Sequence, residues 1–191
     1  SDKVALVTGA GSIAPGWGNG KATAVLFARE GAKVFAVDKN PAAAEETQGL
    51  ITDEGGISAA HQTDVTENEQ VQAMIEACLE TFGRIDILHN NVGGSVPGGP
   101  VDMPEEVWDQ QIAYNLKSVF LTCKHVIPVM ERQGGGAIVN VSSLAGLRHT
   151  GHYHAAYEAA KAGMMHFTRT LAVEYGPKNI RANTVVPGHV F

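Results

Sequence analysis

The chain has 191 residues, a formal net charge of −6, 44% hydrophobic residues and 18% charged ones. That balance is globular and excludes intrinsic disorder. The acidic sign argues against a partner such as nucleic acid or an anionic membrane, and no run of ~18 apolar residues offers a membrane span. The two cysteines, Cys78 and Cys123, have no neighbour at redox or metal spacing and cannot build a disulfide framework. A reducing, cytoplasmic setting is therefore expected. The chain opens Ser1-Asp2-Lys3 and runs directly into apolar residues, so no secretory leader is expected.

In chain order, short apolar runs at 4–7, 33–37, 57–61, 85–89, 137–141 and 181–186 alternate with helical patterns at 20–30, 41–53, 67–82, 104–132 and 155–175. Runs that are apolar on both faces suit a parallel sheet covered on both sides. The alternation predicts α/β architecture, a doubly wound parallel sheet with helices over both faces in one domain across 1–191. Thr66 with Glu69, and Asp102 with Glu105, have capping-box spacing, with Pro104 in the first turn of the second helix. The glycine-rich stretches 9–20, 93–99 and 134–136 read as loops and account for part of the 22 glycines.

The first loop, 8–20, joins the first strand to the first helix and contains Gly9, Ser12, Gly18, Asn19 and Gly20. Such a turn lets backbone N–H groups face a pyrophosphate at a helix N-terminus, although most glycine-rich turns are only turns. The second strand ends in Asp38, 18 residues after Gly20. A carboxylate there can accept both ribose hydroxyls of an adenosine and repels a 2′-phosphate, which favours NAD over NADP. The alternative is that Asp38 caps the helix beginning near Pro41, and Lys39 beside it softens the repulsion.

Tyr157 and Lys161 stand one helical turn apart, on one face. A phenol is a weak acid, with a pKa near ~10 in isolation, and a fixed cation stabilises its phenolate for acid/base work. A Tyr and a Lys at this spacing occur by chance in many helices. Here, however, a strand ends in Ser142-Ser143 fourteen residues before Tyr157, and the C-terminal ends of parallel strands point at the ligand crevice.

The strings now stand in order: a TGxxxGxG-like loop, Asp64-Val65, Asn90-Asn91-Val92-Gly93, Asn115, Ser142-Ser143, Tyr157-x-x-x-Lys161 and Pro187-Gly188. Over its whole length the sequence resembles the single-domain short-chain dehydrogenases/reductases, in particular 3-oxoacyl carrier-protein reductases and secondary alcohol dehydrogenases. The resemblance implies a Rossmann fold and NAD(P)-dependent hydride transfer between nicotinamide and a small-molecule carbonyl or alcohol. It makes Tyr157 the general acid/base and gives Lys161 the nicotinamide ribose. Ser143 orients the substrate oxygen, with Ser142 as neighbour or substitute, and Asn115 holds a water linking Lys161 to solvent. Asp64 and Val65 meet the adenine, Asn91 and Gly93 line the adenosine side, and Pro187, Gly188 and Val190 lie along the cofactor, Val190 meeting the carboxamide through its backbone. A homodimer or homotetramer is implied, built on the helix at 155–175, with its Ala-rich face, and the long helix before it. The family continues further, with a substrate lid and another strand, so these residues are expected to leave a sheet edge and the substrate mouth uncovered.

The sequence departs from the family in the glycine loop, in the serine-to-tyrosine spacing and, slightly, at Val92, where the family commonly has Ala. The loop carries an insert at 13–17, in which Trp17 packs against the first helix on the simplest reading, and Asn19 replaces an apolar residue. Ser-Ile-Ala followed by Gly is similar to the divergent enoyl-thioester reductases, which leaves enoyl reduction as an alternative; a catalytically silent nucleotide-binding regulator is another. The serine-to-tyrosine spacing is one residue longer than usual, within 147–154. His149, His152 and His154 in that loop, with His189 across the crevice, are expected to be substrate or solvent contacts rather than metal ligands.

Overall fold

The computed structural model describes residues 2–14 and 16–188. The strands are β1 (Val4–Thr8), β2 (Lys33–Asp38), β3 (Ser58–Gln62), β4 (Ile87–Asn90), β5 (Gly136–Val141) and β6 (Ile180–Val185). The helices are α1 (Asn19–Arg29), α2 (Pro41–Asp53), α3 (Asn68–Phe82), α4 (Glu105–Ile112), α5 (Ser118–Gln133) and α6 (Ala155–Tyr175). All six strands are parallel, in the order β3-β2-β1-β4-β5-β6. The order reverses between β1 and β4, so the crevice for a ligand opens at the C-terminal ends of those two strands.

Alternation along the strands separates two cores. Val7, Val34 and Ala36 face Ala24 and Val25 of α1 and Ile51 of α2. Leu6, Phe35 and Val37 face the other way, into a larger cluster with Met74 and Cys78 of α3, Val126 and Met130 of α5, and Met164 of α6. β6 lies at the sheet edge with Arg181, Asn183 and Val185 exposed, in keeping with the expected open edge.

Neither expected capping box forms. α3 begins one residue later than Thr66 would place it, behind Glu67 with no side-chain cap, because the Thr66 hydroxyl donates to Asp64 Oδ1 at 2.6 Å. α4 starts behind Pro104, again without a side-chain cap, so Asp102 has no capping role. The single long helix expected over 104–132 is instead α4 and α5 joined by a π-helical turn, Ala113–Lys117. A π turn adds a residue to the helical round and re-aims what it carries; here it buries Asn115 completely.

A chain of buried amides and hydroxyls crosses the centre. Thr122 Oγ1 donates to Asn90 Oδ1, Asn90 Nδ2 to Asn140 Oδ1, and Asn140 Nδ2 to Thr168 Oγ1, each at 2.9 Å. It fastens α6, at Thr168, to the middle of the sheet.

Candidate active site

A cleft of about 760 Å³ runs along the C-terminal ends of the strands. Its walls include Gly9, Ser12, Gly18, Asn19, Asp38, Asp64, Val65, Asn91, Gly93, Ser143, Tyr157, Lys161, Pro187 and Gly188. Of the other expected site residues, Gly20 and Asn115 lie buried behind the wall, and Val190, like His189, is outside the described residues.

At one end is the glycine loop. Gly9 turns the chain at φ +65°, a conformation glycine adopts without strain. The Asn91 amide donates to the Gly9 carbonyl at 3.0 Å, tying the loop to the end of β4. A Cβ on Gly20 would stand 1.8 Å from that same carbonyl oxygen, so only glycine lets α1 come this close. The insert is closed by Ser12, whose hydroxyl accepts from Gly18 N at 2.7 Å and donates to Gly16 O at 3.1 Å. α1 therefore starts behind Gly18 with no side-chain cap and no acid in its first turn. Uncapped N–H groups at the positive end of a helix suit a phosphate. Trp17 does not pack down on the helix as expected: it is 62% exposed and lies along the cleft.

Asp38 stands beside this loop. Its two oxygens accept Gly11 N and Asn40 N, each at 3.0 Å. It does not cap α2; Asn40 does, accepting from Ala42 N. Lys39, also in the wall, carries its ammonium on Asp64 Oδ2 at 2.6 Å, so it is paired with another carboxylate than Asp38. Burial works against the charged Asp64 carboxyl, but Lys39 and Thr66 outweigh it and hold its pKa below the ordinary range. Tyr114, which the sequence reading did not single out, is half-buried in the same wall. Burial first, then the Asp38 and Asp64 carboxylates, raise its phenol. It stands within the π turn, which the periodicity of the sequence did not mark.

The opposite end holds Tyr157, Lys161 and Ser143. Lys161 is 2% exposed, and its ammonium donates to Val141 O at 2.8 Å and lies 5.6 Å from the centre of the Tyr157 ring. Burial pulls its pKa down to about 8. A Cβ on Gly93 would come within 2.8 Å of the same nitrogen, which places Gly93 against Lys161. The two serines separate: Ser142 is buried with its hydroxyl donating to Lys161 O, whereas Ser143 is partly open and accepts from Ala145 N. Asn115 behaves as a tie. Its Nδ2 donates to Gly94 O and Gln111 O, and its Oδ1 accepts Gly94 N. The small residues of α6 divide: Ala156 and Ala160 are buried within the chain, whereas Ala159 and Ala162 are exposed, and a Cβ on Gly146 would meet Ala162 N at 2.8 Å.

His149 faces Glu158 at 3.5 Å and the Tyr153 ring at 5.3 Å. Among the described residues no three His, Cys, Asp or Glu side chains gather as a metal would require. Cys78 and Cys123 are free and buried, and burial pushes both thiols up to about 12, which makes them poor nucleophiles.

Residues 3–191 match the family model described as short chain dehydrogenase. The chain is 40% identical over 191 residues to the 3-oxoacyl-(acyl-carrier-protein) reductase FabG of Thermotoga maritima, covering 98% of this chain and 74% of that one. It is 39% identical over 194 residues to the cyclohexanol dehydrogenase of Acinetobacter sp. strain SE19, covering 100% and 74%. A crystal structure of a short-chain dehydrogenase/reductase from Burkholderia xenovorans superposes with a TM-score of 0.96 at 52% identity, covering 99% of this chain and 72% of that one. The chain belongs to the short-chain dehydrogenase family. It is an NAD(P)-dependent oxidoreductase of carbonyl and alcohol groups.

Proposed function

We propose that the chain interconverts a secondary alcohol and its ketone with NAD preferred over NADP, using Tyr157, Lys161, Ser143 and Asn115. The observation that carries this reading is one cleft with Asp38 at one end and Tyr157, Lys161 and Ser143 at the other. The residues suit a dinucleotide: glycines stand where a Cβ would block the loop, the end of α1 is uncapped, and Asp38 keeps oxygen lone pairs for two hydroxyls. A 2′-phosphate would meet the Asp38 carboxylate without help from Lys39.

The bound nicotinamide supplies or accepts the hydride. The loop from Gly9 through Ser12, Gly18, Asn19 and Gly20 turns N–H groups to the phosphates. Asp64 and Val65 border the adenine, and Asn91, Gly93, Pro187, Gly188 and Val190 line the rest of the length. Lys161 holds ribose hydroxyls and, as a fixed cation, stabilises the Tyr157 phenolate. Tyr157 passes the proton to or from the substrate oxygen, which Ser143 orients by a hydrogen bond, Ser142 being committed to α6. Water at the Asn115 turn connects Lys161 with solvent. The relatives named for cyclohexanol, levodione and D-threitol support alcohol and ketone chemistry over enoyl reduction. Two further expectations belong to the same reading. A dimer or tetramer forms through α5 and α6, where Phe120 is 49% exposed and meets Phe167. The setting is cytoplasmic, a reading supported by two cysteines that are free and buried and form no disulfide framework; no helix among the described residues is long and apolar enough to cross a membrane.

Nicotinamide absorbance over a panel of secondary alcohols and ketones tests the mechanism. Tyr157→Phe is expected to lower kcat by about 10²–10⁴ while NADH still binds. Turnover that survives in Tyr157→Phe rejects the mechanism, and a preference for NADPH rejects the reading of Asp38.

A further inference from the structure

The insert in the glycine loop is held from beneath by a side chain whose position is costly. Lys21 is the third residue of α1, and its side chain is 2% exposed. An ammonium in the first turn sits at the positive end of the helix dipole, and burial adds the loss of water. An apolar residue would avoid both penalties. In return the ammonium makes two contacts, to Glu46 Oε1 of α2 at 2.8 Å and to the carbonyl of Gly16 at 3.1 Å. Gly16 lies within the insert at φ +111°. Its carbonyl also receives the Ser12 hydroxyl, whose oxygen in turn takes the N–H of Gly18 at the start of α1. One carbonyl thus joins α2, the insert and the uncapped helix end.

We infer that Lys21 and Glu46 are positioning residues for dinucleotide affinity. They brace Gly16 so that Ser12 and Gly18 keep the N–H groups of α1 turned toward the phosphates. The inference rests on the proposed reading of this loop as the pyrophosphate site. It explains how a loop longer than the family's can still present the same helix end. Because Glu46 is 61% exposed, its carboxylate stays in water when Lys21 is replaced, and a neutral variant strands no buried charge. The fold survives such a change, and the loss appears in binding.

The test is a fluorescence titration with NADH and with NADPH of the wild type, Lys21→Met, Lys21→Arg and Glu46→Lys, alongside thermal melts without nucleotide. Lys21→Met and Glu46→Lys are expected to weaken binding of the preferred dinucleotide about tenfold or more, the scale of one charge-assisted hydrogen bond. Its KM should rise in step while kcat at saturation holds, and Lys21→Arg should recover most of the affinity. A folded Lys21→Met that binds like the wild type overturns the inference. If Lys21→Met does not fold, Glu46→Lys decides at an exposed position, and wild-type affinity there overturns it equally. A wild type that binds neither nucleotide removes the underlying reading of the loop, and the inference with it. Intact wild-type binding with unchanged variants removes the inference alone.

Discussion

Gly20 and Gly49 both sit inside helices, yet their surroundings assign them opposite roles. A Cβ on Gly20 would come 1.8 Å from the Gly9 carbonyl and 2.6 Å from the Asn91 amide, and the Gly9 turn cannot retreat because Ala10 N is bonded to Val37 O. Gly20→Ala is therefore expected to cost about 1–3 kcal/mol of stability through overpacking and to abolish measurable dinucleotide binding. Gly49 of α2 has nothing within 4 Å of its Cβ position. Gly49→Ala is expected to gain about 0.5–1 kcal/mol from helix propensity alone. Melts of the two variants check both signs, and equal effects would contradict the assignment. At this scale Asp38, Tyr157 and Lys161 were legible from spacing. Lys39 was not: only the tertiary structure places Asp64 2.6 Å from its ammonium.

Among the elements, the π turn between α4 and α5 shapes the site most. It buries Asn115 and turns it toward the loop after β4, where its side-chain amide makes both backbone hydrogen bonds of Gly94. The next residue back, Gly93, rests against the Lys161 ammonium. Asn115→Leu leaves the part-buried N–H and C=O of Gly94 without their side-chain partner, at a total of about 1–3 kcal/mol. It is expected to lower the melting temperature and, by freeing the loop, to lower kcat as well. A variant with full kcat would show that the tie is dispensable. An apolar stripe marks that a helix exists over this region, but an extra residue in one turn leaves the stripe almost unchanged, so the break was invisible in sequence. The same limit explains the capping boxes: spacing says that Thr66 can reach a helix end, not that Asp64 takes its hydroxyl first.

In the molecule as a whole, one buried group sets a dependence on pH. His89 of β4 packs edge-on to Phe27, and neither ring nitrogen has a hydrogen-bond partner among the described residues. Burial lowers its pKa from 6.5 to about 4. Between those values the unfolded chain binds a proton that the folded chain refuses. Stability therefore falls as pH falls through that window, by about 3 kcal/mol in all. His89→Leu removes this part of the acid sensitivity, so its loss between pH 7 and pH 4.5 in urea melts should be smaller than the wild type's by about 2–3 kcal/mol. Equal losses in both proteins would sink the idea. Asp86 adds an acid-sensitive anchor at the other end of the sheet. Burial opposes its charge, but Arg84, Val4 N–H and Lys3 outweigh that and hold its pKa down to about 2.

The sequence by itself determined the class of fold, the glycine loop, the acid after β2 and the Tyr–Lys pair, because each rests on contacts or periodicities within one strand, turn or helix. The tertiary structure alone decided that the Ser142 hydroxyl is bonded to Lys161 O of α6 while that of Ser143 accepts from Ala145 N, that Trp17 stays exposed along the cleft, and that Lys21 reaches under the insert to Glu46. Ser142 and Lys21 depend on a partner from another element, and local spacing carries no record of which group a buried donor will find first.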